Sequence, residues 1–312
     1  MINNLGQIED LVRGRPPGRI AVAAAHDDHV LQSVYEVYRK GYAHPILIGD
    51  KDKILRLADQ LSLDVSPLPM IKEPDERKSA EIAVNLVNNA EADTIMKGLL
   101  QTADLLKAVL EREKGLRANM LISHVGLYEI AGYPKLLFIT DAGINIAPDL
   151  KQKVEIIRNA LDVAHELGIA RPKIAVLAAV ETVNPAMPST LDAAALAKMA
   201  QRGQIKDCLI DGPLALDNAI DPTAAGHKQI ISEVAGDADI LLAPDIEAGN
   251  ILVKSLVFLY HARSCGMIAG ARVPLIVTSR ADSSEAKYYS ILLALAMLRQ
   301  PGAADAQRRE LF

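Results

Sequence analysis

Short apolar runs alternate with helix-length segments along this chain, and this alternation limits the folds that it can adopt. Residues 19–25 (RIAVAAA) form one apolar run, residues 29–40 are predicted to form a helix, and residues 45–49 (PILIG) form the next apolar run. Half of the residues are hydrophobic but only 4% are aromatic, so Ala, Ile, Leu and Val must build the core. This pattern predicts an α/β fold whose mostly parallel sheets are covered by helices.

The length of 312 residues is about right for two domains. Loop 126–134 is the best candidate for the crossing from the first domain to the second, and the chain is predicted to return near residues 264–270. The predicted first domain therefore comprises residues 1–132 with residues 267–312, and the second comprises residues 133–266.

Charge and composition exclude several classes of protein. The net charge of −5 argues against binding to nucleic acid or to a membrane surface by bulk electrostatics. The first 19 residues contain no apolar signal core, and charges interrupt every apolar run before it reaches transmembrane length. The two cysteines, Cys208 and Cys265, predict a reduced, cytoplasmic protein rather than a disulfide framework.

A strand, a polar turn and a helix start follow one another in residues 273–287, VPLIVTSRADSSEAK. Residues 274–277 are predicted to form a buried strand, and Asp282 or Ser283 is predicted to cap a helix that runs to about residue 299. The first turn of a helix presents free N–H groups and the positive end of the helix dipole, and both attract anions. Arg280 adds a cation with forked donors that suit phosphate or carboxylate. The sequence therefore predicts an anion site at this turn.

Polar residues follow six predicted strands, at the ends where open α/β sheets bind ligands. The six ends read His26-Asp27-Asp28, Lys97-Gly98, Thr140-Asp141, Asp211-Gly212-Pro213, Pro244-Asp245 and Thr278-Ser279-Arg280. Helices are predicted to begin with Thr102, Asn250 or Ser283 after several of them. Helix capping explains any one of these loops, whereas the six together, with Lys97 and Arg280 among them, favour a shared anionic ligand.

Other common signatures are absent from the sequence. The first strand is followed by AAAHDDH instead of a glycine-rich dinucleotide fingerprint, and we find no P-loop, nucleophile elbow or HExxH motif. The histidines do not have metal-ligand spacing. No metal site is therefore predicted.

Five motifs resemble those of one family of enzymes. They read MKGLLQTADLLKAVL at residues 96–110, TDAGINIAPDL at 140–150, DGPLALDNAIDP at 211–222, LLAPDIEAGNILVKSL at 241–256 and VPLIVTSRADSSEAK at 273–287. In this order they resemble the phosphate acyltransferase family, which includes phosphate acetyltransferase and phosphate butyryltransferase. The forms TSRADSSEAK, NILVKSL and INIAPDL are more similar to the butyryltransferase branch.

The resemblance implies a two-domain α/β fold like that of the isocitrate and isopropylmalate dehydrogenases, with the active site in the cleft between the domains. The implied reaction is acyl-CoA plus phosphate giving acyl phosphate plus CoA, reversibly, with butyryl or a similar short acyl chain. Coenzyme A would be a substrate, and no metal or permanently bound cofactor would be required. A homodimer or larger homo-oligomer is expected.

The resemblance also assigns roles to individual residues. Arg280 would hold phosphate bidentately, and Ser279 would donate a hydrogen bond to a phosphoryl or carbonyl oxygen. The predicted substrate-binding residues are Lys97, Gly98, Thr102, Lys107, Asn145, Asp245, Asn250 and Ser283. Ordinary structural roles compete with these assignments, namely turn formation for Ser279 and Asn145, a helix cap for Asn250, and a solvated surface position for Lys107.

One position departs from the pattern of the family. The acetyl branch is thought to use an aspartate as a base for the CoA thiol, and the matching position here is Ala286. Glu285 stands beside it and is a candidate catalytic residue. The alternative is that Asp282 and Glu285 form a capping box, in which Glu285 accepts from the N–H of the cap residue. The sequence leaves both possibilities open, along with a base supplied by another residue.

Two other functions compete with acyl transfer. A dehydrogenase of the same fold, acting on a hydroxy acid, would require an aspartate cluster for a divalent metal, and Asp237 and Asp239 do not form a clear one. The departure at Ala286 also permits a non-catalytic relative that binds CoA or acyl phosphate.

Overall fold

The computed structural model describes residues 2–118 and 121–298. Within them, eleven strands form one sheet. The strands are β1 (Gly18–Ala23), β2 (Ala43–Gly49), β3 (Met70–Lys72), β4 (Thr94–Lys97), β5 (Ser123–Glu129), β6 (Leu137–Thr140), β7 (Lys173–Leu177), β8 (Leu209–Leu214), β9 (Ile240–Leu242), β10 (Arg263–Ala269) and β11 (Leu275–Ile276).

Helices connect most of these strands, as the alternation in the sequence predicts. They are α1 (Gly6–Val12), α2 (Asp28–Arg39), α3 (Lys51–Gln60), α4 (Glu76–Asn88), α5 (Thr102–Val109), α6 (Leu150–Glu166), α7 (Pro188–Gln201), α8 (Leu216–Ile220), α9 (Pro222–His227), α10 (Ile246–Leu259) and α11 (Ser284–Ala296). Across the described residues, none of the helices combines the length and the apolar character that spanning a bilayer requires. The predicted end of the last helix, at residue 299, lies outside the described residues.

The order of the strands across the sheet is β3-β2-β1-β4-β11-β10-β5-β6-β9-β7-β8. The first five strands in this order are mutually parallel, and so are the last four. Strands β10 and β5 lie between the two groups, and three antiparallel pairings there reverse the direction of the sheet. The predicted α/β class with a mostly parallel sheet is confirmed.

This reversal turns the two groups of strands in opposite directions. The carboxyl ends of β1, β4 and β11 point one way, whereas those of β6 and β9 point the other way. The registers across β10 and β5 nevertheless set the carboxyl ends of β11 and β6 at about the same level. The prediction that Asp211, Gly212 and Pro213 follow the end of β8 is wrong, because they lie inside this strand. The six predicted segments therefore do not meet through strand ends that all point the same way.

Helix packing follows the amphipathic pattern of the sequence. In α2, Val30, Leu31 and Val34 are buried, and Asp27 caps the helix by accepting from the Val30 N–H at 2.9 Å. The largest hydrophobic cluster contains residues of both predicted domains, such as Val34 and Ile240. The division into residues 1–132 with 267–312 and residues 133–266 stays a prediction.

Candidate active site

The loop between β11 and α11, residues 277–283, is held by its own polar groups. Asp282 accepts a hydrogen bond from the Ser279 N–H at 2.7 Å, and Ser283 caps α11 by accepting from the Ala286 N–H at 3.1 Å. We refer to residues 277–283 as the β11–α11 loop. The loop places Ser279 and Arg280 ahead of the positive end of a 13-residue helix, as the sequence predicts.

A buried lysine supports this loop from below. Lys287 is only 2% exposed, and its Nζ donates to the carbonyl oxygens of Ser279 at 2.8 Å and Asp282 at 2.9 Å. Burial lowers the pKa of Lys287, although the nearby Asp282, Asp27 and Asp28 oppose this effect. Among the described residues its ammonium group bonds to carbonyl oxygens and forms no ion pair with a carboxylate.

A second buried lysine lies close to the first. Lys97, at the end of β4, is 5% exposed, and its Nζ donates to the carbonyl oxygens of Gly98 and Leu100, both at 3.2 Å. Its pKa is lowered, first by burial and then by the positive charges of Arg280 and Lys287. The negative charges of Asp27 and Asp282 oppose this effect. Arg280 and Lys287 are therefore close enough for their positive charges to act on Lys97. We call these three residues the cationic cluster.

A cavity of about 320 Å³ lies beside the β11–α11 loop. Its polar lining includes Thr102, His124, Asn250, Thr278, Ser279, Asp282 and Ser290. Its apolar lining includes Ile144, Val253, Val257, Phe258, Ile268 and Val277. The lining comes from segments on both sides of the predicted domain boundaries.

The predicted site residues fall into two groups. Ser279, Thr102 and Asn250 line the cavity, Arg280 is exposed next to Ser279, and Lys97 lies within the cationic cluster. The other eight predicted residues are not among those that line the cavity, namely Arg280, Lys97, Gly98, Lys107, Asn145, Asp245, Ser283 and Glu285. The structure therefore gathers three of the predicted residues, from three segments, at the cavity.

Close packing explains Gly98. Its N–H donates to the Ala23 carbonyl at 2.8 Å, and a Cβ atom there would collide with the carbonyl oxygens of Ala23 and Ala24. Lys107, in contrast, is exposed in the last turn of α5.

The predicted helix start at Asn250 is wrong. Asp245, and not Asn250, caps α10 by accepting from the Ala248 N–H at 2.8 Å. Asn250 lies in the second turn of α10, where its Nδ2 donates to the Ala142 carbonyl at 3.1 Å. Helix α5 begins with Thr102 as predicted, although Gln101 and not Thr102 occupies its cap position. Propensity alone could not resolve which of two nearby polar residues caps a helix.

Asn145 has a structural role in the loop that follows β6. Its Nδ2 donates to the Ile122 carbonyl at 2.9 Å and to an Asp141 carboxylate oxygen at 2.6 Å. Asp141 also accepts from the backbone N–H groups of Gly143, Ile144 and Asn145. This network fixes the segment that supplies Ile144 to the cavity wall.

The capping box predicted for Asp282 and Glu285 does not form. Ser283 is the cap residue, and Glu285 accepts instead from Arg263 Nη2 at 2.8 Å. Arg263 also donates to Glu129 at 2.9 Å. Glu285 thus belongs to an exposed ion-pair network outside the cavity lining, because Arg263, 22 residues away in sequence, competes successfully for its carboxylate.

The family model described as "Phosphate acetyl/butaryl transferase" matches residues 69–295, which include every residue that lines the cavity. The chain belongs to this family. Both activities named in the family description occur among its curated relatives. Phosphate butyryltransferase of Clostridium acetobutylicum is 46% identical over 94% of this chain and 98% of its own, and phosphate acetyltransferase of Thermotoga maritima is 46% identical over 93% of this chain and 98% of its own.

Solved structures agree with membership of the phosphate acetyl/butyryl transferase family. A branched-chain phosphotransacylase from Enterococcus faecalis V583 superposes with a TM-score of 0.80 at 34% identity, covering 91% of this chain and 99% of that one. A putative 4-hydroxythreonine-4-phosphate dehydrogenase from Salmonella typhimurium, 14% identical, superposes with a TM-score of 0.54, covering 90% of this chain and 99% of that one. The predicted likeness to a dehydrogenase fold is therefore confirmed at the level of fold alone.

Sequence reasoning missed two residues at or near the candidate site, Lys287 and His124. Lys287 had a detectable signal, because a lysine in the first turns of a helix opposes the helix dipole and therefore calls for another explanation. His124 had no comparable signal, since a histidine within a strand becomes informative only when its neighbours are known.

Proposed function

We propose that the protein catalyses the reversible reaction of acyl-CoA with inorganic phosphate to give acyl phosphate and CoA. The observation that carries this proposal is the cationic cluster. Burying an ammonium group without a carboxylate is costly, and a bound anion offsets that cost. Lys97 and Lys287 are both buried and both lack such a partner within the described residues. A phosphate dianion supplies the missing negative charge.

Arg280 is the proposed direct ligand of phosphate. It is exposed, and it has no hydrogen bond or ion pair to another described residue, so its guanidinium group is available for a bidentate contact. The helix dipole of α11 adds positive potential at the same place. Lys287 fixes the loop through the Ser279 and Asp282 carbonyls and contributes charge from behind it.

The apolar side of the cavity is the proposed site of the acyl chain and the adjoining arm of CoA. Val253, Val257 and Phe258 of α10 line the cavity together with Ile268 and Val277. A short aliphatic chain suits such a wall. Coenzyme A is a substrate in this proposal, and no permanently bound cofactor takes part in the reaction.

The reaction requires two anionic partners to be aligned and an oxyanion to be stabilised. A phosphate oxygen attacks the thioester carbonyl, the tetrahedral oxyanion collapses, and the CoA thiolate leaves. Ser279 lines the cavity, and its hydroxyl, which accepts from the Ala281 N–H at 3.3 Å, is the proposed hydrogen-bond donor to the carbonyl oxygen. The cationic cluster holds the attacking phosphate against it.

A phosphate-dependent assay of CoA release tests this function directly. The purified chain is incubated with acetyl-, propionyl-, butyryl- and branched acyl-CoA, and free thiol is measured with and without phosphate. We expect release that saturates with phosphate, with the acyl phosphate trapped as a hydroxamate. The highest kcat/KM is expected for butyryl or a similar short chain. CoA binding without turnover on any of these substrates would contradict the proposal.

The alternative of a dehydrogenase has less support from the geometry. Asp237 and Asp239, which a metal site would require, are bound by the ammonium groups of Lys135 and Lys173. Formation of NADH from NAD and a hydroxy acid would nevertheless reverse this judgement, and absorbance at the nicotinamide band detects it.

Self-association is part of the proposal, and α10 is the surface that supports it. Gly249 is the buried residue of this apolar helix, whereas Ile251 is 68% exposed and Leu259 is 71% exposed. An exposed apolar surface of this kind is typical of an interface. We expect a homodimer or larger homo-oligomer by light scattering, and an Ile251→Glu variant should shift it towards monomer.

The two free, buried cysteines, Cys208 and Cys265, support a cytoplasmic location.

A further inference from the structure

The cavity contains a histidine that the proposed reaction has not yet used. His124 lies on β5, where its imidazole extends over two glycines of the central strands. A Cβ atom on Gly266 would come within 2.8 Å of His124 Nε2, and one on Gly126 would come within 3.1 Å of Cε1. Gly126 and Gly266 are paired across β5 and β10. The two glycines therefore leave the space that the imidazole occupies.

His124 Nδ1 is buried and has no hydrogen-bond partner among the described residues. Leaving a ring nitrogen unpaired inside a protein costs free energy. The Nδ1 atoms of His26 and His29 are unpaired in the same way, but of the three histidines only His124 lines this cavity. The cavity wall at Ala286 offers no proton acceptor, because an alanine side chain has none.

The reaction needs a group that exchanges a proton with the thiol of CoA. An ordinary thiol has a pKa of about 8.5, so it is mostly protonated at neutral pH and a poor nucleophile. The titratable residues in the described cavity lining are His124, Tyr128, Lys254, Cys265 and Asp282. Asp141 also acts on His124 electrostatically.

Four of these residues are poor candidates for the base. Burial raises the pKa of Tyr128 and of Cys265, so both keep their protons at neutral pH. Lys254 already makes a cation–π contact, with its ammonium 5.8 Å from the centre of the Phe258 ring. Asp282 already accepts from the Ser279 N–H at 2.7 Å and holds the β11–α11 loop.

We propose that His124 is the general base for the CoA thiol in acyl-CoA formation and the general acid for the departing thiolate in the reverse direction. This inference rests on the proposed acyl transfer. The imidazole takes the thiol proton, and the thiolate attacks the carbonyl carbon of acyl phosphate. The bond from that carbon to the phosphate oxygen breaks, and the imidazolium returns the proton to phosphate, which leaves as hydrogen phosphate. Charge and protons balance without another reactant.

The electrostatics of the cavity agree with this role. Burial lowers the pKa of His124, and the negative charges of Asp141 and Asp282 oppose that effect. The imidazole is therefore neutral at neutral pH and able to accept a proton. The two carboxylates stabilise the imidazolium that forms during the step.

Two variants, His124→Ala and His124→Gln, test the inference in the assay of butyryl phosphate with CoA. We expect kcat to fall about 100-fold at pH 7, as is typical for loss of a general base. By microscopic reversibility, the reverse reaction should lose a similar factor. The deficit should shrink as the pH approaches about 8.5, because the solvent then ionises the thiol. Added imidazole should restore activity to His124→Ala with saturation. His165→Asn is the control, because His165 is exposed on α6, and this variant should change kcat less than twofold.

The outcomes separate the inference from the proposed function. An active wild-type chain whose His124 variants stay within threefold of it would overturn the role of His124 alone. So would a loss that neither high pH nor imidazole relieves, because that pattern indicates a structural role. Asp282→Asn keeps an acceptor for the Ser279 N–H and tests the other carboxylate in the cavity. If this variant loses activity that high pH restores in full, while the His124 variants keep normal activity, the base is Asp282. An inactive wild-type chain would overturn both proposals together.

Discussion

Lys287 and Lys135 are both largely buried lysines that donate to backbone carbonyls, but their surroundings differ in one respect. Lys135 also bonds to carboxylate oxygens of Asp239 at 2.6 Å and Asp237 at 2.7 Å. Lys287 bonds to carbonyl oxygens, and its pKa is lowered by burial. A balanced pair of charges is what a structural role requires, whereas unbalanced buried charge indicates a site for a ligand of opposite sign.

The largest expected effect comes from removing the exposed member of the cationic cluster. Arg280→Ala should lower kcat/KM for phosphate by about 100- to 1,000-fold, a loss comparable to that of an oxyanion donor. Steady-state kinetics with varied phosphate measures this change. Arg272→Ala is the control, since Arg272 donates to Asn88 at the exposed surface, and its kinetics should match the wild type. A near-normal phosphate KM and kcat in Arg280→Ala would refute its role as the phosphate ligand.

Removing Lys135, whose charge is paired with Asp237 and Asp239, should lower the stability of the protein and leave catalysis unchanged. Lys135→Met leaves Asp239, whose side chain is 6% exposed, without its ammonium partner, and breaking such a buried pair costs about 3 kcal/mol. Urea denaturation measures the free energy of unfolding. The kcat of the folded variant should equal that of the wild type. If Lys135→Met lowers the free energy of unfolding by less than about 1 kcal/mol, the charge pairing of Lys135 has little structural importance.

Removing Lys287, whose charge has no carboxylate partner among the described residues, should impair catalysis and leave stability intact. Lys287→Met should raise the KM for phosphate about tenfold, since the anion loses one nearby positive charge. In the absence of phosphate, the variant should be as stable as the wild type or more stable at pH 7, because an unpaired buried charge has been removed. Phosphate should raise the melting temperature of the wild type more than that of the variant.

The pH dependence of that stability has a definite sign. The pKa of Lys287 is lower in the folded state than in the unfolded state. The unfolded chain therefore binds the proton more tightly. The loss of folding stability that the buried ammonium group causes is complete below the folded pKa. This loss of stability decreases as the pH rises from the folded pKa towards the ordinary lysine pKa of about 10.4. The stability advantage of Lys287→Met should narrow over that interval, and a gap that widens would contradict a desolvated ammonium group.

The same contrast explains which features were accessible from sequence. The alternation of strands and helices predicted the α/β class, because hydrophobic periodicity is a local property of the chain. The turn after β11 was identified for the same reason, since capping residues, Ser279 and Arg280 lie within a few positions. The antiparallel pairings of β10 with β11 and β5 were not predicted, and they depend on contacts between distant segments.

Burial and pairing of charge are equally non-local. Lys287 and Lys135 cannot be distinguished by residue type, and the difference arises from Asp237 and Asp239 in another segment. His124 became a candidate only when Gly266 of the neighbouring strand was seen beside it. Residues of this kind require the fold, whereas motif residues such as Arg280 do not.

Glu285→Gln should give the smallest effect, and it tests whether proximity to Ala286 in sequence has functional meaning. The Glu285 side chain is 53% exposed and pairs with Arg263, which keeps Glu129 as a second partner. Exposed pairs of this kind contribute less than about 1 kcal/mol to stability. We expect thiol-acceptor activity within twofold of the wild type across pH 6–9 (roughly the range in which a histidine base and a thiol titrate), measured with butyryl phosphate and CoA. A tenfold loss that follows the ionisation of a carboxylate would instead make Glu285 the base, and its pairing with Arg263 would then have to break during catalysis.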